Sequence, residues 1–330
     1  MLILAKSILG LALGFVLAIV VGLIVIPVLK QLKAGQNVSR LINKRHLKKE
    51  GTPTIGGLIF IIPPIIAVSM LTLRGSVVIS ANLVIVLFVF LGYALLGFID
   101  DFLKIKFHNN KGLSTMTKFV AQLLIAVIFY TIYKHNGGTT TLEITLFNFK
   151  WDMGWLYGIF ILFLLVGTTN AVNITDGLDG LCGGLSVMAF LSYGVITWGS
   201  DWIPGYEGMA IFSFILVGAL LGFLLFNSHP ARVFMGDTGS LALGGALATI
   251  AILTHHELSL ALIGGVFVIE TLSSLIQIIS IRKFNKKVFL KAPVHHHFEE
   301  LGWTETDIVK IFWTIGFLLA MFGVIYGVWL

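Results

Sequence analysis

Cysteine is nearly absent from this chain: Cys182 is the only one among 330 residues. An internal disulfide is therefore excluded, and the redox compartment is left open. Charge is scarce as well, at 12% of residues, where a soluble domain carries about a quarter. The P-loop pattern GxxxxGK[ST] does not occur, so ATP hydrolysis is not indicated. No low-complexity tract and no internal repeat stands out. A signal peptide is not expected either. The first apolar run, Ile8 to Leu29, is too long for a signal core and no small-residue cleavage site follows it, so it reads as a retained span.

What the chain has in abundance is apolar sequence, 57% of residues, with a mean hydropathy of +0.97. Runs of about 20 apolar residues predict transmembrane helices. Ten occur, at roughly 7–29, 55–73, 77–99, 118–134, 154–172, 181–199, 207–226, 239–256, 259–281 and 308–329. The expected fold is an all-α polytopic membrane protein, with residues 1–330 forming one integral membrane domain. Pro63 and Pro64 fall inside the second span and predict a kink there. The 36 glycines suit close helix packing in lipid. A net charge of +6 could signal nucleic acid. In a membrane protein the excess of cations in cytoplasmic loops explains it better, so no nucleic-acid partner is expected.

The basic residues orient the spans. Lys30, Lys33, Arg40, Lys44, Arg45, Lys48 and Lys49 follow span 1. Lys104, Lys106, Lys111 and Lys118 follow span 3, Arg232 follows span 7, and Arg282, Lys283, Lys286, Lys287, Lys291 and Lys310 follow span 9. Of the 22 Lys and Arg, only Lys6, Arg74, Lys134 and Lys150 fall on the other side. The bias places the odd-to-even loops in the cytoplasm and both termini outside. The outside segment 135–153 alternates polar and apolar residues after Gly137-Gly138 and predicts a short β-hairpin on the membrane surface. The Lys clusters themselves read as lipid-headgroup contacts.

With that orientation the acidic motifs gather on the basic side. Asp100 and Asp101 follow span 3 in FIDDFLK. Asp176 and Asp179 follow span 5 in NAVNITDGLDGL. Asp237 precedes span 8 in MGDTGS, in the same loop as Asn227 and His229. Spans 3 and 5 end at the cytoplasmic face, where the helix dipole disfavours each carboxylate by about 0.3–1 kcal/mol. Like charges gathered together repel further. A bound cation would relieve both problems, and hard oxygen donors favour Mg²⁺ or Mn²⁺ over zinc. Asp237 stands at the positive end of its helix, so N-capping by Asp237 or Thr238 and metal binding are both open.

Asp-Asp at a membrane border is by itself most often a solvated helix end. The ladder Asn170, Asn173, Asp176, Asp179 is more demanding: its polar groups recur every three residues, and Gly177 and Gly180 let the backbone turn. His295, His296 and His297 are adjacent and so point in different directions; one of them is suited to phosphate binding or proton transfer. Glu270, near the middle of span 9, is either a functional carboxylate or an interior hydrogen-bonding group. His108, His255 and His256 carry no supporting pattern. A cytoplasmic cleft of carboxylates, divalent metal, Lys and His suits phosphate chemistry. The membrane setting suggests that one substrate is a lipid, giving phosphoryl transfer from a soluble nucleotide-linked donor to a membrane-bound acceptor.

Six segments, in order along the chain, are HLKKEGTPTIGG (46–57), FIDDFLK (98–104), NKGLS (110–114), NAVNITDGLDGL (170–181), FNSHPARVFMGDTGSLALGG (226–245) and APVHHHFEELGW (292–303). Together they closely resemble the MraY family, the bacterial phospho-N-acetylmuramoyl-pentapeptide transferases of the polyprenyl-phosphate N-acetylhexosamine-1-phosphate transferase superfamily. The resemblance covers essentially the whole chain. It implies Mg²⁺-dependent transfer of phospho-MurNAc-pentapeptide from UDP-MurNAc-pentapeptide to undecaprenyl phosphate, giving lipid I and UMP, the first membrane step of peptidoglycan synthesis. It further implies a homodimer in the bacterial inner membrane, with ten spans and the active site facing the cytoplasm.

By the same resemblance, Asp237 matches a Mg²⁺-associated aspartate, and Asp100 and Asp101 match the pair of which one is proposed to deprotonate the lipid phosphate. Asp179 and Gly180 match the nucleotide region, with Phe234 a candidate to stack on uracil. Lys49, Lys104, Asn173, Asp176, Asn227 and the triplet His295, His296 and His297 match other active-site positions. Direct attack by the lipid phosphate is favoured, with an aspartyl-phosphate intermediate as the alternative. Two departures bear on the first cytoplasmic loop. Ile42, Asn43, Lys44 and Arg45 stand where the family commonly has Gly-Pro-x-Ser, and Ile55 replaces a common Met. The nearest rival is a sister enzyme that uses UDP-GlcNAc, against which the His triplet argues. A transporter with an acidic gate is the rival of another class. Its site would lie near the bilayer midplane in repeated halves.

Overall fold

Small residues recur every four positions along one face of the first helix, α1 (Ile3–Gln31): Gly10, Gly14, Ala18 and Gly22, all buried. Lipid tails are as apolar as the helices, so association there depends on close backbone approach. This face lies on α7 (Tyr206–Asn227), with Gly14 against the carbonyl of Ile215 and Gly218 against that of Leu11. Gly10 meets Ile211 and Ile215, and Gly22 meets Phe226, so residue numbers rise together and the two helices run parallel. Spans 1 and 7 therefore start on the same side, as the charge pattern requires.

The structure is a computed structural model and describes residues 3–32, 49, 51–107, 112–144, 149–199 and 205–328. The departures at Ile42, Asn43, Lys44 and Arg45, and the loop residues Lys33, Arg40, Lys48, His108 and Lys111, lie outside the described residues.

The remaining helices are α2 (Leu58–Leu73), α3 (Ala81–Lys106), α4 (Thr115–His135), α5 (Trp155–Thr175), α6 (Leu181–Gly199), α8 (Gly236–Leu253), α9 (Glu257–Ile263), α10 (Gly265–Phe284), α11 (Val294–Glu300) and α12 (Glu305–Val328). Among the described residues nine are long and apolar enough to cross a bilayer, and the 16-residue α2 supplies the tenth stretch. It runs unbroken through Pro63 and Pro64. The ninth stretch is divided at Gly264 into α9 and α10. Ser80 and Ser114 cap α3 and α4 by accepting from the amides of Leu83 and Thr117. Between α4 and α5 the expected hairpin forms: β1 (Thr141–Ile144) pairs antiparallel with β2 (Phe149–Asp152), Thr141 opposite Asp152 and Ile144 opposite Phe149.

Helices α7 and α8 are buried almost throughout and form the centre. Around them Leu23, Phe163, Ile279 and Phe322 expose apolar surface, which suits lipid. Tyr93 of α3 meets Gly245 and Gly97 meets Asp237, so α3 and α8 run antiparallel. Thr169 meets Gly244 and Asn173 reaches Asp237, so α5 and α8 do likewise. The ends of α3, α5 and α7 and the starts of α4, α8 and α12 thus share one end of the bundle.

Candidate active site

The site begins with a close approach of backbones. A Cβ at Gly97 would stand 2.1 Å from the carbonyl oxygen of Asp237, so only glycine lets α3 reach the start of α8. Gly236 has φ +68°, and a side chain there would also strike the Asp101 carboxylate. These two glycines bring three acidic groups together: one oxygen each of Asp100, Asp101 and Asp237 lie within 4.8 Å of one another.

The three carboxylates have different partners. Asp101 Oδ2 accepts the Thr238 backbone N–H at 2.9 Å and its hydroxyl at 2.7 Å, and Oδ1 accepts the Asp237 N–H at 3.3 Å. The capping left open between Asp237 and Thr238 is therefore done by Asp101, from another helix. The positive end of α8 offsets the unfavourable negative end of α3, a compensation that no single-helix argument could foresee. Asp100 Oδ1 accepts the Leu113 N–H at 2.7 Å, while Oδ2 faces Lys104 at 2.6 Å and Lys118 at 3.1 Å. Asp237 Oδ1 accepts from Asn173 at 2.8 Å, and Oδ2 faces Lys118 at 2.5 Å and Lys104 at 3.2 Å. Two ammonium groups thus converge on the same two oxygens, one each from Asp100 and Asp237, where positive charge is most needed. Asp100 and Asp101 are 1% and 2% exposed, whereas the side chain of Asp237 keeps 15%.

A second cluster lies beside the first. Lys49 bridges Asp179 and Glu305, at 2.6 Å to each. Asp179 also accepts from the Ala231 N–H at 3.0 Å and meets His229 at 3.1 Å. Asn227 ties the turn to the following loop: its Oδ1 accepts the Gly180 N–H and its amide donates to the Val233 carbonyl. Phe234 is fixed by backbone bonds to Pro53 and Gly56, and the Lys49 ammonium lies 5.8 Å from its ring centre. Burial alone would pull the Lys49 ammonium down, but Glu305 and Asp179 outweigh it and the net shift is upward. Asp176 sits between the clusters. Burial first, then Asp237 and Asp101, push its carboxyl up to about 8.

The His triplet fans out as adjacent residues must. His295 turns inward and meets Glu270 at 2.9 Å, both essentially buried. Glu270 is thus hydrogen-bonded in the interior, and the other ring nitrogen of His295 lies against Gly177. His296 meets Glu299 at 2.5 Å, and burial lowers its imidazole against the pull of that carboxylate. His297 accepts the Leu290 N–H. The structure thus gathers Asp100, Asp101, Asp237, Lys104 and Asn173 in one cluster and Lys49, Asp179, Gly180, Asn227 and Phe234 in the other. Lys118 and Glu305 belong to the site too. In the sequence Lys118 counts only as a loop cation, and an acid in the first turn of a helix, such as Glu305, needs no functional reason.

An apolar groove of about 640 Å³ runs between α4 and α5. Lys118, Thr115 and Asn170 stand in its wall with Phe119, Leu162 and Phe163, so one of its ends abuts the acidic cluster.

Residues 83–255, which span α3 to α8, match the family described as Glycosyl transferase family 4. The chain is 47% identical over 323 residues to the phospho-N-acetylmuramoyl-pentapeptide-transferase of Geobacillus thermodenitrificans, covering 98% of each chain. This chain belongs to the phospho-N-acetylmuramoyl-pentapeptide-transferase family. The Bacillus subtilis member is 48% identical over 317 residues, 96% of each chain. The Anoxybacillus flavithermus member is 48% identical over 320 residues, again 96% of each. Within this transferase family the chain keeps full-length correspondence, so both clusters lie inside the shared region.

Proposed function

We propose that this protein transfers phospho-MurNAc-pentapeptide from UDP-MurNAc-pentapeptide to undecaprenyl phosphate, releasing UMP and forming lipid I at the cytoplasmic face of the inner membrane. One observation carries this reading. Asp100, Asp237, Lys104 and Lys118 converge where an apolar groove ends, beside a separate cluster that presents Lys49 and Phe234. A polyprenyl chain fits such a groove, its phosphate reaching Lys118, while the nucleotide lies against Phe234. Ten crossings put both termini on one side, and the cationic loops make that side the exterior.

The donor set suits Mg²⁺: hard carboxylate oxygens, already drawing two cations, with Asp237 the most accessible. Asp237 and Asp100 would hold the ion, since both oxygens of Asp101 serve α8. When bound, Mg²⁺ supplies positive charge to the pyrophosphate of the donor. The residues themselves do the rest. Lys104 and Lys118 neutralise the incoming phosphate and the charge that develops during transfer. Asn173 holds Asp237 in one orientation. A phosphate monoester is largely ionised at neutral pH, with a second pKa of about 6, so the lipid phosphate needs little help from a base. Its oxygen attacks the sugar-bearing phosphorus; a new P–O bond forms as the bond to UMP breaks, and UMP leaves with the electron pair. Asp101 keeps both oxygens on the start of α8, and the Asp100 oxygen not bonded to Leu113 faces two lysines and would face the ion, which supports direct displacement over an aspartyl-phosphate. We further propose a homodimer.

A donor comparison tests the assignment. Purified protein with undecaprenyl phosphate and Mg²⁺ should make labelled lipid from UDP-MurNAc-pentapeptide and little or none from UDP-GlcNAc. Equal or better use of UDP-GlcNAc would transfer the assignment to the sister enzyme.

A further inference from the structure

Glu305 belongs to the first turn of α12, a helix whose sequence suggests only a membrane span. Its Oε1 accepts two hydrogen bonds at once, from Lys49 Nζ at 2.6 Å and from the backbone N–H of Asp179 at 2.6 Å. Its Oε2 lies 3.5 Å from His229 Nδ1, the nitrogen that also meets Asp179. One carboxylate thus joins α12 to the residue after the first loop, to the turn after α5 and to the loop before α8. A lysine stem is flexible and samples many rotamers when its ammonium is unpaired. Two carboxylates remove that freedom and fix the ammonium beside the Phe234 ring.

We infer that Glu305 is a positioning residue for the nucleotide-linked donor: it holds Lys49 and the Asp179 turn in one geometry beside Phe234. This rests on the function proposed above, and it concerns the donor half of the site alone. Glu305 lies apart from the Asp100–Asp237 cluster and from the groove between α4 and α5, so the acceptor lipid does not depend on it.

The test uses Glu305→Gln, whose amide oxygen still accepts from Asp179 but no longer offers charge to Lys49. Glu305→Asp and Glu305→Ala accompany it. Expected for Glu305→Gln is a rise of about tenfold in KM for UDP-MurNAc-pentapeptide, with kcat and the KM for undecaprenyl phosphate within about twofold of the parent. UMP alone, titrated by calorimetry, should bind about tenfold more weakly, and Glu305→Asp should recover part of that loss. Lys49→Ala combined with Glu305→Gln should be no worse than Lys49→Ala alone, since both act through one contact. Unchanged UMP affinity in Glu305→Gln would overturn the inference, and so would equal rises in both KM values. Should Glu305→Ala fail to fold, the isosteric Gln variant still decides. Absence of lipid product from the parent protein would count against the proposed function, while UMP binding continues to score Glu305 by itself.

Discussion

The carboxylate of Asp101 accepts both the backbone N–H and the hydroxyl of Thr238, so the last turns of α3 cap the first turn of α8. Asp100, its neighbour in sequence, faces Lys104 and Lys118 instead. Two adjacent aspartates thus do different work, and their variants should separate. Asp101→Asn presents an NH₂ to an amide N–H and loses a charged cap, a cost of about 1–3 kcal/mol. Its melting temperature in detergent should fall well below that of Asp100→Asn. Equal melting temperatures would contradict the cap.

Asp100→Asn and Asp237→Asn remove charge where the two lysines converge. Each is predicted to lower kcat by roughly a hundredfold or more, in the range seen when one electrostatic contact to a transition state is deleted. Circular dichroism should be unchanged. Near-parental turnover at saturating Mg²⁺ in Asp237→Asn would remove it from the site.

Lys118 touches both Asp100 and Asp237 and stands at the end of the apolar groove. Lys118→Ala should therefore raise KM for undecaprenyl phosphate and lower kcat, each by about tenfold, as expected when one charged contact is lost. The KM for the nucleotide donor should hardly move. The opposite split between substrates would place the lipid elsewhere.

Gly97 and Gly92 share α3 but differ in surroundings. A Cβ at Gly97 would meet the Asp237 carbonyl at 2.1 Å, while one at Gly92 would find Ile125 no nearer than 3.7 Å. Gly97→Ala should abolish activity and cost about 3 kcal/mol, the upper end of ordinary overpacking. Gly92→Ala should be nearly silent in both assays.

Asp176 gives a pH dependence. Its carboxyl titrates near 4 when unfolded and is pushed up to about 8 in the fold. A raised acid binds its proton more tightly when folded, so its contribution is fully favourable below pH 4 and declines as pH rises towards 8. In chelator, stability should fall across that window, and Asp176→Asn should flatten part of the fall. A curve unchanged by the substitution would show that Asp176 is not the group responsible.

Much of this was legible in the sequence, for physical reasons. Ten apolar runs mark the membrane stretches because lipid tolerates little else, and α1 and α7 run parallel as the placement of Lys and Arg expects. The strand pair of 141–144 and 149–152 is signalled by the alternation after Gly137-Gly138. Asp100, Asp237 and Asn173 were recognisable because polar groups at span ends are costly without partners. What stayed hidden depends on which helices meet. Asp101 as the cap of α8 requires Gly97 to admit the α8 backbone. Glu305 requires α12 to start beside the turn at Asp179. Glu270 and His295 are 25 residues apart and become partners only when α11 folds back on α10.

The most direct test follows label from UDP-MurNAc-pentapeptide, with undecaprenyl phosphate and Mg²⁺, in the parent protein and in Asp237→Asn side by side. UMP and lipid-linked product should appear in equal amounts from the parent, and both should form roughly a hundredfold or more slowly in the variant. UMP release without lipid product, or equal product from both proteins, would contradict phosphoryl transfer at this end of the bundle.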